Sequence, residues 1–228
     1  DTGGDAFTRV TMSGNKAASS GGAFFGDNSA YDVSFESSTI SGNTAGSAMN
    51  EGTGGGLYLG DAVGMLENST VAGNAALSGG GKDGAGGGIW VSGSRLGLRY
   101  STVSGNVAKQ GGGIFAYAYG GSLLGSIVSG NKAKAGGSEQ DCSKGSAVSA
   151  LHSLGGNVIG QAGCVTSTTS TDKVTASPGL GALKANGGPT KTMALSAKSP
   201  AVGRASFLVP ATDQRGKPRP TKRADAGA

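Results

Sequence analysis

Three charged residues at one recurring position set the first chemical question. Glu36, Glu67 and Arg99 each stand seven residues before an asparagine of a repeated phrase. On consecutive coils of a repeat they project outward about 5 Å apart. Two carboxylates that close raise one pKa, as general acid–base catalysis requires, and such spacing suits a retaining glycosidase. The competing reading is a solvated charge ladder: outward side chains diverge, and Arg99 neutralises Glu67. The sequence favours that ladder and leaves a polysaccharide lyase or hydrolase as the alternative. The single histidine, His152, falls in the column of Ser38, Ser69, Ser101 and Ser126, and reads as an exposed strand residue rather than a base. Gly79–Gly84 faintly suggests a calcium-binding glycine repeat, but it offers one carboxylate where calcium wants several oxygens. It reads as a loop. No phosphate-binding loop and no Ser/His/Asp arrangement is evident, so neither a metal nor a cofactor is expected.

Aromatic residues make the stronger pattern. A glycine phrase recurs as Gly21-Gly22-Ala23-Phe24-Phe25, Gly54-Gly55-Gly56-Leu57-Tyr58, Gly86-Gly87-Gly88-Ile89-Trp90 and Gly111-Gly112-Gly113-Ile114-Phe115. With Leu57, Ile89 and Ile114 inward, strand alternation sends Phe24, Tyr58, Trp90 and Phe115 outward. Tyr117 and Tyr119 extend the same side. Three readings stay open for the stripe: self-stacking that stabilises the sheet, a platform for sugar rings, and a protein contact. A register one residue off would turn the column into core.

Cys142 and Cys164, separated by a Ser/Gly-rich stretch, read as one structural disulfide, which the chain-entropy model values at about 3 kcal/mol. A bridge implies an oxidising compartment. The net charge of +5 is uneven. Residues 198–228 carry seven Lys/Arg against two Asp/Glu, and the rest of the chain sums to zero. No aromatic residue interleaves the densest part of that run, Arg215 to Arg223, so nucleic acid is not an expected partner. A solvated terminal loop is the plain reading, and an anionic surface the other.

The elements that position these residues follow from a second phrase. Thr11-Met12-Ser13-Gly14-Asn15 returns at Thr39–Asn43, Thr70–Asn74, Thr102–Asn106 and Ile127–Asn131, with a decayed copy at Ser153–Asn157. The asparagines are 28, 31, 32, 25 and 26 residues apart. A repeat of that length with β-branched runs too short for helices means a solenoid. With 46 glycines in 228 residues, a helical bundle is excluded, and no run is long and apolar enough for a membrane-spanning helix. The expectation is an all-β, right-handed parallel β-helix of about six coils over residues 1–165, with about three strands per coil. Residues 166–228 form a strand and a non-repetitive cap packed on the last coil, with Asp213 and Arg215 serving it by local hydrogen bonds and ion pairing. Met12, Ile40, Val71, Val103, Val128 and Leu154 form one inward column; Phe7, Phe35, Leu66, Leu98 and Leu123 form another. Asn15, Asn43, Asn74, Asn106 and Asn131 form a structural ladder in tight turns. Length differences fall at 44–53 and 75–85, which read as edge loops.

The phrases Ser-Thr-Val-Ser-Gly-Asn and Gly-Gly-Gly-Ile resemble the β-helix repeats of bacterial surface proteins, including polymorphic outer-membrane-protein-like repeats. The run from Leu180 through Asn186-Gly187-Gly188-Pro189-Thr190, Ser199-Pro200-Ala201-Val202 and Thr212–Pro220 to Asp225–Ala228 is similar to the end of choice-of-anchor Q domain proteins. The resemblance implies a secreted or cell-surface bacterial protein, extracytoplasmic, with surface or outer-membrane attachment and no single established activity. The start at Asp1, without Met, reads as a processed chain or a fragment. The functional expectation is a structural or adhesive module binding a glycan or a partner protein through Phe24, Tyr58, Trp90, Phe115 and Tyr117 and the edge loops. A subunit of a surface assembly is a further alternative.

Overall fold

The computed structural model describes residues 4–27, 32–93, 95–118, 120–138, 140–145, 150–161 and 163–228; of 135–138 it describes the backbone alone. The chain winds into a parallel β-helix with no helices among these residues. Each of the first five coils has four short strands rather than three, one on each of four sheets. The first sheet stacks Asp5–Thr8, Asp32–Glu36, Val63–Glu67, Leu96–Arg99, Gly121–Leu124, Leu151–Ser153 and Val165–Ser167. The second stacks Thr11–Ser13, Thr39–Ser41, Thr70–Ala72, Thr102–Ser104, Ile127–Val128, Val158–Ile159 and Lys173–Val174. The third and fourth sheets have five strands each, so five turns are four-sided, and only the first two sheets continue beyond them.

Register carries the apolar columns inward. Phe7, Phe35, Leu66, Leu98 and Leu123 pair in sequence on the first sheet. On the second, Met12, Ile40, Val71, Val103 and Val128 do the same. From coil two onward these side chains are buried, and with Leu57, Ile89 and Ile114 they form one continuous core. The glycine phrase is dictated by stacking: a Cβ on Gly55 would lie 2.3 Å from the carbonyl oxygen of Gly87 in the next coil. The corner before the second sheet takes positive φ at Arg9, Ser37, Asn68 and Tyr100, then at Gly125.

The sixth repeat departs from the expected alignment. Val158 and Ile159 pair with Ile127 and Val128, so Ile159 fills the apolar column and Leu154 is 51% exposed. Asn157 thereby lands beside the buried serines, where its Oδ1 accepts from the Ser126 N–H at 2.8 Å. His152 pairs with Ser122, outside the column of Ser38, Ser69 and Ser101. The Gly-Asn step of the phrase aligns Leu154 with the column, but burial of the β-branched pair Val158 and Ile159 decides the register.

The segment after residue 166 does not stay on the last coil. Its first two strands extend the first and second sheets. The rest, including the antiparallel hairpin Leu180–Lys184 and Thr192–Leu195, lies along the outer face of the second sheet as a strap. Thr190 Oγ1 donates to the Ser37 carbonyl, and Thr39 Oγ1 donates to the Lys191 carbonyl. Asn68 donates to the Thr212 carbonyl, and the Ala228 N–H donates to Thr102 Oγ1. Gln214, buried, receives the Thr70 hydroxyl at 2.7 Å and donates to Thr39 Oγ1 at 2.9 Å and Thr190 Oγ1 at 2.8 Å. Ala201 and Ala226 pack on Ile127 and Val158, and Ala205 and Ala224 pack on Tyr100 and Leu124. Asp213 and Arg215 pair at 2.6 Å, and Asp213 also receives the N–H groups of Arg215 and Lys217.

Candidate functional site

The asparagine ladder runs along the corner between the second and third sheets. Each Nδ2 donates to the Oδ1 of the next rung at 2.9 Å: Asn15 to Asn43, Asn43 to Asn74, Asn74 to Asn106 and Asn106 to Asn131. The same Oδ1 atoms accept the preceding rung's backbone N–H. A positive φ at the glycine before each rung turns the asparagine inward. The ladder ends on Asp141, whose Oδ1 accepts from the N–H of Asn131 at 2.8 Å and its Nδ2 at 2.9 Å. Burial pushes the Asp141 carboxyl above the usual carboxylate range, against the pull of those donors. Sequence reasoning missed Asp141; its position, directly before Cys142 on the fourth sheet, was the available signal. Cys142 and Cys164 form a disulfide, both fully buried.

The charged column stands where expected. Glu36 and Glu67 are paired in register, and Glu67 and Arg99 likewise. Arg99 binds Glu67 in a 3.1 Å ion pair and donates to the Leu208 carbonyl of the strap. Its guanidinium is therefore committed to the carboxylate and to holding the C-terminal segment. Among the described residues, no group of three or more His, Cys, Asp or Glu is placed to hold a metal ion. Gly79 and Lys82 close a tight turn by mutual backbone hydrogen bonds, and the 75–85 loop is tied to its neighbours by Lys82–Glu51 at 3.6 Å and Lys109–Asp83 at 2.8 Å.

The fourth sheet corrects two members of the aromatic stripe. Phe24 pairs with Leu57 and points inward, edge-on to Phe7 and Phe35; Phe25 pairs with Tyr58 and takes the outward place. Ala23 stands where later coils have their third glycine, so the first coil's phrase is read one residue further along. Phe115 is in register with Trp90 but only 7% exposed, and it joins no ring stack among the described residues. Tyr117, two residues on, stacks with Trp90 instead. Tyr119 lies outside the described residues. The observed row is Phe25, Tyr58, Trp90 and Tyr117, with centroids 4.6, 4.3 and 6.1 Å apart and planes within 19° of parallel. Tyr58 and Trp90 therefore have a ring against each face, and the row presents ring edges outward. Burial, then the carboxylates of Asp27 and Asp61, raise the Tyr58 phenol's pKa.

Round the corner, the first sheet carries a groove of about 540 Å³ lined by Val63, Met65, Arg95, Gly97, Gly121 and His152, among others. Val63 and Met65 also line a second hollow, of about 380 Å³, that reaches Asp5 and Asp32.

Stacked parallel coils, internal asparagine rungs and glycine corners define a β-solenoid repeat protein. Residues 9–27, which include the first rung and the first glycine phrase, match the family model described as the Chlamydia polymorphic membrane protein repeat. The match covers one repeat of the solenoid, and together with the stacked coils it makes the chain similar to polymorphic outer-membrane-protein-like β-helix repeats. No curated protein and no solved structure matches the chain. The matched residues exclude the C-terminal strap.

Proposed function

We propose that the chain is a surface-displayed adhesive module that engages a partner protein along the ring row of the fourth sheet. The observation that supports a protein over a sugar is the stacking itself. A sugar ring needs an open aromatic face, and the two central rings spend both faces on their neighbours. A row of ring edges suits a polypeptide laid across it, and aromatic side chains are the usual anchors of such contacts. Trp90, at the centre of the row, is the principal anchor in this reading, with Phe25 and Tyr117, 52% and 54% exposed, at its flanks.

The test is adhesion of beads carrying the protein to cell-surface membrane preparations, with one portion treated by protease and another by periodate. Protease should abolish adhesion and periodate should spare it. Trp90→Ala, checked for an intact fold by circular dichroism, should weaken adhesion about tenfold or more, as truncation of a central aromatic anchor does. Periodate-sensitive adhesion, or a Trp90→Ala variant that adheres like wild type, would refute the reading.

A further inference from the structure

The strap carries a feature that neither the repeat nor the ring row explains. Phe207 and Leu208, adjacent in sequence, are 58% and 57% exposed. They do not dangle. The buried Tyr100 donates its hydroxyl to the Phe207 carbonyl at 3.0 Å, and Arg99 donates to the Leu208 carbonyl at 2.6 Å. Leu208 holds φ of 45°, a left-handed conformation that a branched side chain rarely adopts. The segment beside it repeats the theme. Arg223 has φ of 58°, its N–H donates to Ser206 Oγ at 3.0 Å, and Ala205 and Ala224 bridge the two segments. Two apolar side chains are thus fixed outward on a turn whose neighbours, Lys222 and Arg223, are exposed cations.

Charge names the partner. The whole net charge of +5 lies in residues 198–228, and that stretch forms the outer layer over the second sheet. An apolar pair beside cations fits the boundary of an anionic bilayer, where acyl chains receive the apolar groups and lipid phosphates receive the cations. We infer that the Phe207–Leu208 turn, with Lys222 and Arg223, docks the protein onto an anionic lipid surface. The stiff backbone keeps both side chains presented before contact, so little ordering is left for the docking step.

The test is co-sedimentation of the full chain with vesicles, either phosphatidylcholine alone or phosphatidylcholine with one third phosphatidylglycerol. Binding should need the anionic lipid and fall as salt is raised. The Phe207→Ser/Leu208→Ser double variant should lose about a hundredfold in partition, from two withdrawn apolar side chains. Lys222→Glu/Arg223→Glu should lose about thirtyfold or more. All four positions are exposed, so the melting temperature should hold. Met49→Ser, on an exposed edge loop elsewhere, should bind like wild type. Absence of binding, equal binding to neutral vesicles, full binding by the Phe207/Leu208 variant, or loss with Met49→Ser would each overturn the inference. None of these bears on the ring row, so the two surfaces are tested separately.

Discussion

Replacing Asn74 by alanine removes the middle rung of the ladder. Four side-chain hydrogen bonds go with it. Asn74 Nδ2 donates to the Ile40 carbonyl and to Asn106 Oδ1, and its Oδ1 accepts from the N–H and the Nδ2 of Asn43. Each is worth about 1 kcal/mol net, and an orphaned buried donor costs about 1–3 kcal/mol. Asn43 Nδ2 retains the Met12 carbonyl, and Asn106 Oδ1 retains the N–H of residue 74. The backbone N–H of Asn43, fully buried, is the group left without a partner. Three bonds and the orphaned donor sum to roughly 4–6 kcal/mol, or a melting temperature lower by about 10–20 °C. Asn15→Ala is the matched control. That residue is exposed, and its side chain gives only one bond, to Asn43 Oδ1, so it should cost about 1 kcal/mol or less. Urea and thermal unfolding by far-ultraviolet circular dichroism measure both. If the two variants lie within about 1 kcal/mol of each other, the rungs are not what holds successive coils in register, and the reasoning fails.

Two further outcomes concern the ladder's end and the strap. Asp141 has its pKa raised by burial, so its folded form holds a proton more tightly than its unfolded form. Its contribution is complete below the unfolded pKa and is lost as pH rises through the folded pKa. Melting temperatures across a pH series should show that loss in wild type and not in Asp141→Asn, and identical profiles would exclude it. Gln214→Ala leaves the buried Thr70 hydroxyl without its acceptor and removes the bond to Thr190 that ties two passes of the strap. Limited proteolysis within residues 206–223 should accelerate about tenfold or more, with the repeat residues still protected; an unchanged rate would mean that apolar packing alone holds the strap.

How far the sequence could be read depends on how local each cause is. The ladder was legible because Gly-Asn is a two-residue signal for a tight inward turn, repeated at nearly constant spacing. The two main apolar columns followed by counting back from it. Phe24 and Phe25 were exchanged because period two makes a slip of one residue invisible unless the preceding glycines are aligned, and Ala23 obscures that alignment. Leu154 failed for the converse reason: the decayed phrase kept its Gly-Asn step but moved it to the serine column, and burial of Val158 and Ile159 set the register. Four strands per coil were hidden because third-sheet strands such as Lys16–Ala17 have two residues and no pattern of their own. The path of the strap could not be read at all. Gln214 reaches Thr70 across 144 residues, and nothing local in either sequence announces the other.

The strap changes what kind of machine the solenoid is under load. A bare repeat array frays from its ends, since each unit answers only to its two neighbours. Here Thr190 and Gln214 grip the second coil, Thr212 and Gln214 the third, Phe207, Leu208 and Ala228 the fourth, and Ala201 and Ala226 the fifth and sixth. Peeling off one coil then means releasing a tie shared with coils far along the axis. The array is converted into a single cooperative block, which resists a pull on one end as a laced seam resists a pull on one stitch.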